Sequence, residues 1–256
     1  MTHTPSNPAE KRLITIASGK GGVGKTWLSV TLAHALSHQG QKIALFDGDL
    51  GLANVDIQLG IMPDKDLGHV ISGAATFADI AVPYGDHDGS SFDVLPGKSG
   101  SGALGSLSRQ TLVKLRNDLI VTAQNYDHLL LDLAAGIDPA VTTLAHHSGK
   151  ILVVMTADPT SLTDAYAFIK LTHMQNASAN ISIVVNNVTN KREGERAFEA
   201  IKRACEGFLK ISPPLVGIIR NDAKVVDSIR AQVPLITRHP NSDAATDVKQ
   251  LAATLR

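Results

Sequence analysis

The eight residues Gly19-Lys20-Gly21-Gly22-Val23-Gly24-Lys25-Thr26 constrain this chain more than any other stretch. They satisfy G-x-x-x-x-G-K-[ST], with an apolar strand candidate before them and an amphipathic helix candidate after. That pattern needs a strand, then a tight loop whose glycines turn backbone N–H groups inward around an anion, then a helix whose unpaired first-turn N–H groups face the same anion. Lys25 is placed to reach the β- and γ-phosphates of a nucleotide, and the Thr26 hydroxyl to help hold Mg²⁺. Gly21, Gly22, Val23, Gly24 and the adjoining Trp27 are the remaining candidates for contact with it.

The rest of the chain agrees with such a start. Short β-branched apolar runs alternate with segments of helical period, which predicts an α/β fold: three layers, with a mainly parallel central sheet flanked by helices. The strand candidates are Leu13–Ala17, Lys42–Phe46, Phe92–Leu95, His128–Leu131, Ile151–Met155, Ile181–Val185 and Leu215–Ile219, all continuous runs suited to burial on both faces. Helical stripes fall at Leu28/Leu32/Ala35/Leu36, Leu112/Leu115/Leu119, Leu162/Ala165/Ile169 and Ala197/Ile201/Phe208. A last helix is expected after the Ser242-Asp243 cap, with Ala245, Val248, Ala252 and Leu255 on one face. No composition break divides the 256 residues, so 1–11 is expected to be a loose tail and 12–256 one domain. The Gly-, Ser- and Asp-rich stretch from Pro83 to Gly105 is the loosest part, and Pro96-Gly97-Lys98-Ser99-Gly100 within it reads as a turn after a strand.

Several function classes are excluded by composition. The single cysteine, Cys205, allows no disulfide framework and no cysteine-based metal site within one chain, and it reads as a core thiol in phase with Ile201 and Phe208. No apolar run approaches the length of a membrane span and the N-terminus has no signal-like core, so a cytoplasmic protein is expected. Equal numbers of basic and acidic residues, 24 of each, leave any affinity for DNA or anionic lipid to a local patch. His146 and His147 are adjacent, which on a helix sends their side chains apart and predicts a surface position for the pair.

Acidic residues end two of the strand candidates. Asp47-Gly48-Asp49 follows the second and Asp132 ends the fourth, at the sheet edge where ligands of open α/β folds bind. An apolar run finishing in one aspartate suits a residue that reaches Mg²⁺, here Asp132.

Lys20-Gly21-Gly22-Val23-Gly24-Lys25-Thr26 resembles the deviant Walker A motif of the MinD/ParA superfamily, P-loop NTPases that dimerise with ATP. The resemblance implies that Lys20 crosses a dimer interface to the partner's nucleotide. Asp47-Gly48-Asp49-Leu50-Gly51-Leu52-Ala53-Asn54-Val55-Asp56 resembles the family's switch I, which would make Asp49 the residue that positions the attacking water and put Asp47 near the Mg²⁺ shell. Asp132-Leu133-Ala134-Ala135-Gly136-Ile137 is similar to switch II, with Leu133 where a hydroxyl residue is usual. Asn186 stands where family members bind adenine, a one-residue shift to Asn187 being open.

Asp49–Gly60, Val94–Gly100, Asn186–Phe198 and Gly217–Pro240 look like the FlhG (FleN, YlxH) branch, which controls flagellar number and placement. The resemblance implies a slow regulatory ATPase using ATP/ADP and Mg²⁺, an ATP homodimer, and a protein partner such as an FlhF-like GTPase or a polar factor. Two departures limit it: Met1–Arg12 holds no D-Q-A-x-x-L-R activator motif, and no amphipathic helix follows the last domain helix, so membrane attachment is only weakly expected. A ParA-type partition protein is the alternative, with Lys191, Arg192, Arg196, Lys202, Arg203 and Lys210 as a possible DNA patch. Iron–sulfur chemistry and tyrosine autophosphorylation fit poorly with one cysteine and three tyrosines.

Overall fold

A computed structural model describes residues 8–85, 89–97 and 107–255. Its core is an eight-stranded sheet of β1 (Leu13–Ser18), β2 (Ile43–Gly48), β3 (Val82–Gly85), β4 (Ser91–Leu95), β5 (His128–Ala135), β6 (Lys150–Met155), β7 (Asn180–Val188) and β8 (Leu215–Arg220). The strand order is β3-β4-β2-β5-β1-β6-β7-β8, and every pairing is parallel except β3 with β4. The chain after β1 runs to one side and the chain after β5 crosses to the other, so the carboxyl ends of β1 and β5 form the crevice where such sheets bind ligands.

The helices are α1 (Lys25–Ser37), α2 (Val55–Leu59), α3 (Leu67–Ile71), α4 (Phe77–Ile80), α5 (Arg109–Thr122) and α6 (Pro139–Leu144), followed by α7 (Pro159–Gln175), α8 (Lys191–Ala204), α9 (Ala223–Ala231), α10 (Leu235–Arg238) and α11 (Asp243–Ala253). Alternate residues of each central strand feed two separate cores. Leu13, Ala17, Ala44 and Phe46 belong to the core under α5 to α8, whereas Ile14, Ile16, Ile43 and Leu45 belong to the core under α1 and α11. Burial on both faces is why these strands read as unbroken apolar runs. Helix α1 is enclosed so fully that only Thr26 of its residues is not buried. Helix α11 forms as expected on the Ser242 cap, and buried Asp247 fastens it to the chain through Arg220 and Lys191. Burial alone would raise the Asp247 pKa, but the hydrogen bonds from Arg220 and Lys191 bring it below the usual value.

The seven expected strands all form, most of them longer at one end. The eighth, β3, was not expected: it is a four-residue antiparallel edge containing Pro83, with alternate residues half-buried, so no continuous apolar run marks it. Phe208 departs from its stripe and is 80% exposed, because Cys205–Leu209 winds as a π-helix and shifts the phase after Ile201. Cys205 is a buried free thiol whose pKa burial raises to about 11. Near the start of the described chain Ala9 is buried, Glu10 accepts the Ser148 N–H at 2.8 Å, and Arg12 donates to the carbonyls of Gln124 and Tyr126. Lys98, Ser99 and Gly100 of the expected turn, and residues 1–7 of the tail, lie outside the described residues.

His147 is a second correction. The chain leaves α6 before reaching it and turns it inward, to 3% exposure beneath β1. Its Nδ1 accepts the Gly149 N–H at 3.0 Å, so its Nε2 carries the proton toward the Thr15 hydroxyl at 2.7 Å. Burial lowers its pKa from 6.5 to about 4. The unfolded chain therefore takes up this proton more readily, and the stability that neutral His147 provides is complete above pH 6.5 and lost as pH falls toward 4. We expect a loss of up to about 3 kcal/mol over that window. Urea midpoints measured across it should fall less steeply in His147→Gln than in the parent.

Candidate functional site

Strand β1 ends at Ser18 and α1 begins at Lys25, leaving the six residues between as a loop over the crevice. Gly22 (φ 76°) and Gly24 (φ 88°) adopt the left-handed conformation that turns the loop. Gly24 caps α1 without any side-chain hydrogen bond, so the first-turn N–H groups remain available for an anion. Lys25 is buried, with its Nζ 2.9 Å from Ser18 Oγ. Burial lowers its pKa, while the nearby Asp132 and Asp49 charges pull it back up.

Two carboxylates lie side by side beneath this loop. Asp47 on β2 and Asp132 on β5 are register partners across adjacent parallel strands, and both are 1% exposed. Asp132 accepts a hydrogen bond from the Ser29 hydroxyl at 3.0 Å, and the Thr26 hydroxyl near it also favours its charged form. Burial pushes both carboxyls above the usual range, and the Asp132 charge raises Asp47 further. A buried pair of acids with raised proton affinity, beside one lysine, is a site short of positive charge. Mg²⁺ takes oxygen ligands and keeps several waters, so the Thr26 hydroxyl and the Asp132 carboxylate fit it.

Asp47, expected near the Mg²⁺ shell, also holds backbone in place. Its oxygens accept the N–H groups of Asn54 (2.8 Å), Val55 (2.9 Å) and Asp49 (3.3 Å), which pins the segment after β2 and satisfies the start of α2. Asp49 folds back on its own turn, accepting from Leu52 (2.9 Å) and Gly51 (3.2 Å). Leu133, where a hydroxyl was usual, is buried against Gly48 and has no part in the polar cluster.

On the other side of the loop a recess of about 170 Å³ is bounded by Gly22, Trp27, Asn186, Asn187, Asn221 and neighbouring residues. Asn186 is buried and donates from Nδ2 to the Val23 carbonyl at 2.8 Å, bracing the loop against β7. Asn187 holds a positive φ of 60° and accepts from the Asn221 amide. Trp27 is buried at the wall, and its indole N–H has no partner among the described residues. Both asparagines border the recess, so the geometry brings them together rather than choosing one.

Lys20 turns from the carboxylate pair toward the start of α7. Its Nζ donates to Asp158 Oδ1 at 3.1 Å and to Thr160 at the N-terminus of α7, in a cleft also lined by Gly21, Gly22 and Asn187. The side chain remains 40% exposed. Asp158 itself is held well below the usual carboxylate range by hydrogen bonds from Thr156, Thr160 and Ser161.

Four contributors escaped the sequence reading: Ser18, Ser29, Asp158 and Thr160. Ser29 could have been found one helical turn after Lys25, and Asp158 as the cap before Pro159. Ser18 and Thr160 carried no signal apart from their contacts.

Residues 14–235 match the model of the CobQ/CobB/MinD/ParA nucleotide binding domain. The chain is 33% identical to antiactivator FleN of Pseudomonas aeruginosa, over 94% of this chain and 85% of that protein. It is 29% identical to the flagellum site-determining protein YlxH of Helicobacter pylori, over 97% and 83%. The cell division ATPase MinD of Pyrococcus furiosus superposes with a TM-score of 0.79 at 25% identity, covering 95% of this chain and 97% of that one. With the phosphate loop, the acidic strand ends and the whole sheet accounted for by one match, the chain belongs to the CobQ/CobB/MinD/ParA nucleotide-binding family, as an ATPase of the MinD/ParA type.

Proposed function

We propose that the chain is an ATP-gated dimeric switch that sets flagellar number or placement. The observation that carries the dimeric part is the opposed direction of two lysines in one loop. Lys25 points inward to the floor of the cradle, whereas Lys20 reaches toward Asp158 and Thr160 and stays partly exposed, so that a second molecule's phosphate would meet it there. An exposed ion pair such as Lys20–Asp158 is worth about 0–1 kcal/mol, so a second nucleotide readily draws Lys20 away. The flagellar part rests on similarity to FleN and YlxH along nearly the whole chain. A protein partner, an FlhF-like GTPase or a polar factor, would read the ATP-bound dimer.

Within each site the loop N–H groups and Lys25 hold the phosphates, and Asn186, Asn187 and Trp27 enclose the base. Thr26 and Asp132 would hold Mg²⁺, which when bound offsets charge on the transferring phosphoryl group. Asp47 positions the segment that carries Asp49. Asp49, released from the Gly51 and Leu52 N–H groups, orients the attacking water; phosphoryl transfer asks for positioning more than covalent help.

The DNA-binding alternative gains nothing from the structure. Lys191 is committed to Asp247 and the Ile218 carbonyl, and Glu193, Glu195 and Glu199 are interspersed among the remaining α8 cations.

Size-exclusion chromatography with ATP tests the switch. The parent should shift to a dimer, Asp49→Ala should accumulate as an ATP-loaded dimer, and Lys20→Ala should stay monomeric while still binding nucleotide. A Lys20→Ala protein that dimerises like the parent removes the basis of the proposal.

A further inference from the structure

An opening of about 940 Å³ outside the nucleotide site is bordered by α5, α6 and α7. From α5 come Arg109, Val113 and Arg116, which at spacings of four and three residues share one face of the helix. From α7 come Leu171 and Gln175, again four apart. Two helix faces with a groove between them suit a partner that inserts residues at i, i+3 or i+4 and i+7 of its own helix.

The lining combines apolar surface with positive charge. Leu107, Val113, Ile137 and Leu171 supply the first, and Ile137 is 48% exposed. Arg109 and Arg116 supply the second, and among the described residues no carboxylate lines the opening. Arg116 donates to the His146 carbonyl and to Asn117 Oδ1, both at 3.1 Å, while its Nε is buried with no acceptor among the described residues. A guanidinium carries five N–H donors, so this one is held in orientation and is still short of acceptors.

Carboxylates on a partner are the complement of such a pair. The two arginines are seven residues apart, a rise of about 10.5 Å along α5. A helix with acids seven residues apart presents them at the same spacing, with an apolar residue between them to meet Val113. A small anion would gain nothing from the apolar lining. Ile137 and Pro139 also join the opening to the nucleotide site, since they follow Gly136, whose N–H donates to the Ser18 carbonyl at 2.8 Å where the phosphate loop begins.

We propose that the groove bordered by α5, α6 and α7 docks an amphipathic helix of a partner protein, whose two carboxylates seven residues apart meet Arg109 and Arg116. This names the surface for the protein partner of the switch and rests on that reading.

A fluorescein-labelled peptide of about 18 residues, long enough to hold a helix, would be titrated into full-length protein by anisotropy. It carries glutamates seven residues apart with a leucine between them on the same face. The parent should bind it saturably. The peptide with glutamine in place of both glutamates should bind at least about tenfold more weakly, the loss expected when charge-assisted hydrogen bonds go. Arg109→Gln and Arg116→Gln should each weaken the glutamate peptide by a similar factor, and Arg109, exposed at the start of α5, is replaceable without disturbing the fold. Lys114→Gln removes the same charge from α5 at a residue paired with Asp118 outside the groove, and should bind like the parent. Equal binding of the two peptides, or equal weakening by Arg109→Gln and Lys114→Gln, would overturn the site. So would inorganic phosphate displacing the peptide at equal concentration, which would make the occupant a small anion. ATP-dependent dimerisation followed in the same preparations separates the two readings. A parent that dimerises but does not bind the peptide loses the docking site alone, whereas one that binds the peptide but does not dimerise loses the switch and keeps the docking site.

Discussion

Lys25→Ala should lower ATP turnover at least about a hundredfold, the usual cost of removing one preorganised group from where charge develops in phosphoryl or acyl transfer. In this chain the expected loss is at the upper end, because Lys25 is buried and is the cation whose charge offsets Asp132. Without it the cradle keeps its backbone N–H groups but faces two buried carboxyls, Asp47 and Asp132, with less to balance them. Nucleotide affinity should fall along with turnover. The fold should survive, since the apolar stem of one lysine is lost while burial of its charge no longer costs anything. Phosphate release, binding of a fluorescent ATP analogue and thermal melting separate these effects. A turnover loss below tenfold in a folded variant would mean that Lys25 is not the phosphate ligand.

The largest stability change should come from a single methyl group at Gly19. A Cβ there would lie 2.0 Å from the Asp164 carbonyl oxygen and 2.2 Å from its carbon, both in the backbone of α7. Neither a side-chain rotamer nor a small loop shift relieves contact with helix backbone, so α7 and the loop must separate. We expect Gly19→Ala to cost about 3 kcal/mol or more, at or beyond the upper end for overpacking. Gly21, two positions on, has open space within 4 Å of its would-be Cβ. Gly21→Ala should therefore shift stability by no more than about 0.5 kcal/mol. Urea midpoints of the two variants make the comparison, and similar values for both would contradict the packing described here.

This contrast shows what a motif does and does not say. From the pattern alone the glycines of Gly19–Thr26 are interchangeable parts of an anion cradle. In the structure Gly22 and Gly24 serve backbone conformation, Gly19 serves contact with a helix distant in sequence, and Gly21 serves neither. The strands buried on both faces were legible because each leaves an unbroken apolar run, while β3, an edge half open to solvent, leaves none. Phe208 and His147 were misplaced for related reasons. A stripe presumes a constant helical period, which the π-helix breaks, and the divergence of adjacent histidines presumes a helix that had already ended.

The sequence by itself determined the local chemistry: a phosphate loop between a strand and a helix, acids at two strand ends, and an extra lysine in the loop, each written in neighbouring residues. Only the tertiary structure decided how these parts face one another. Strand register set Asp47 opposite Asp132, the position of α7 turned Lys20 outward onto Asp158 and Thr160, and enclosure of α1 put Ser29 on Asp132. Those pairings join residues far apart in the chain, and their energies depend on burial and distance, which nearest-neighbour patterns do not carry.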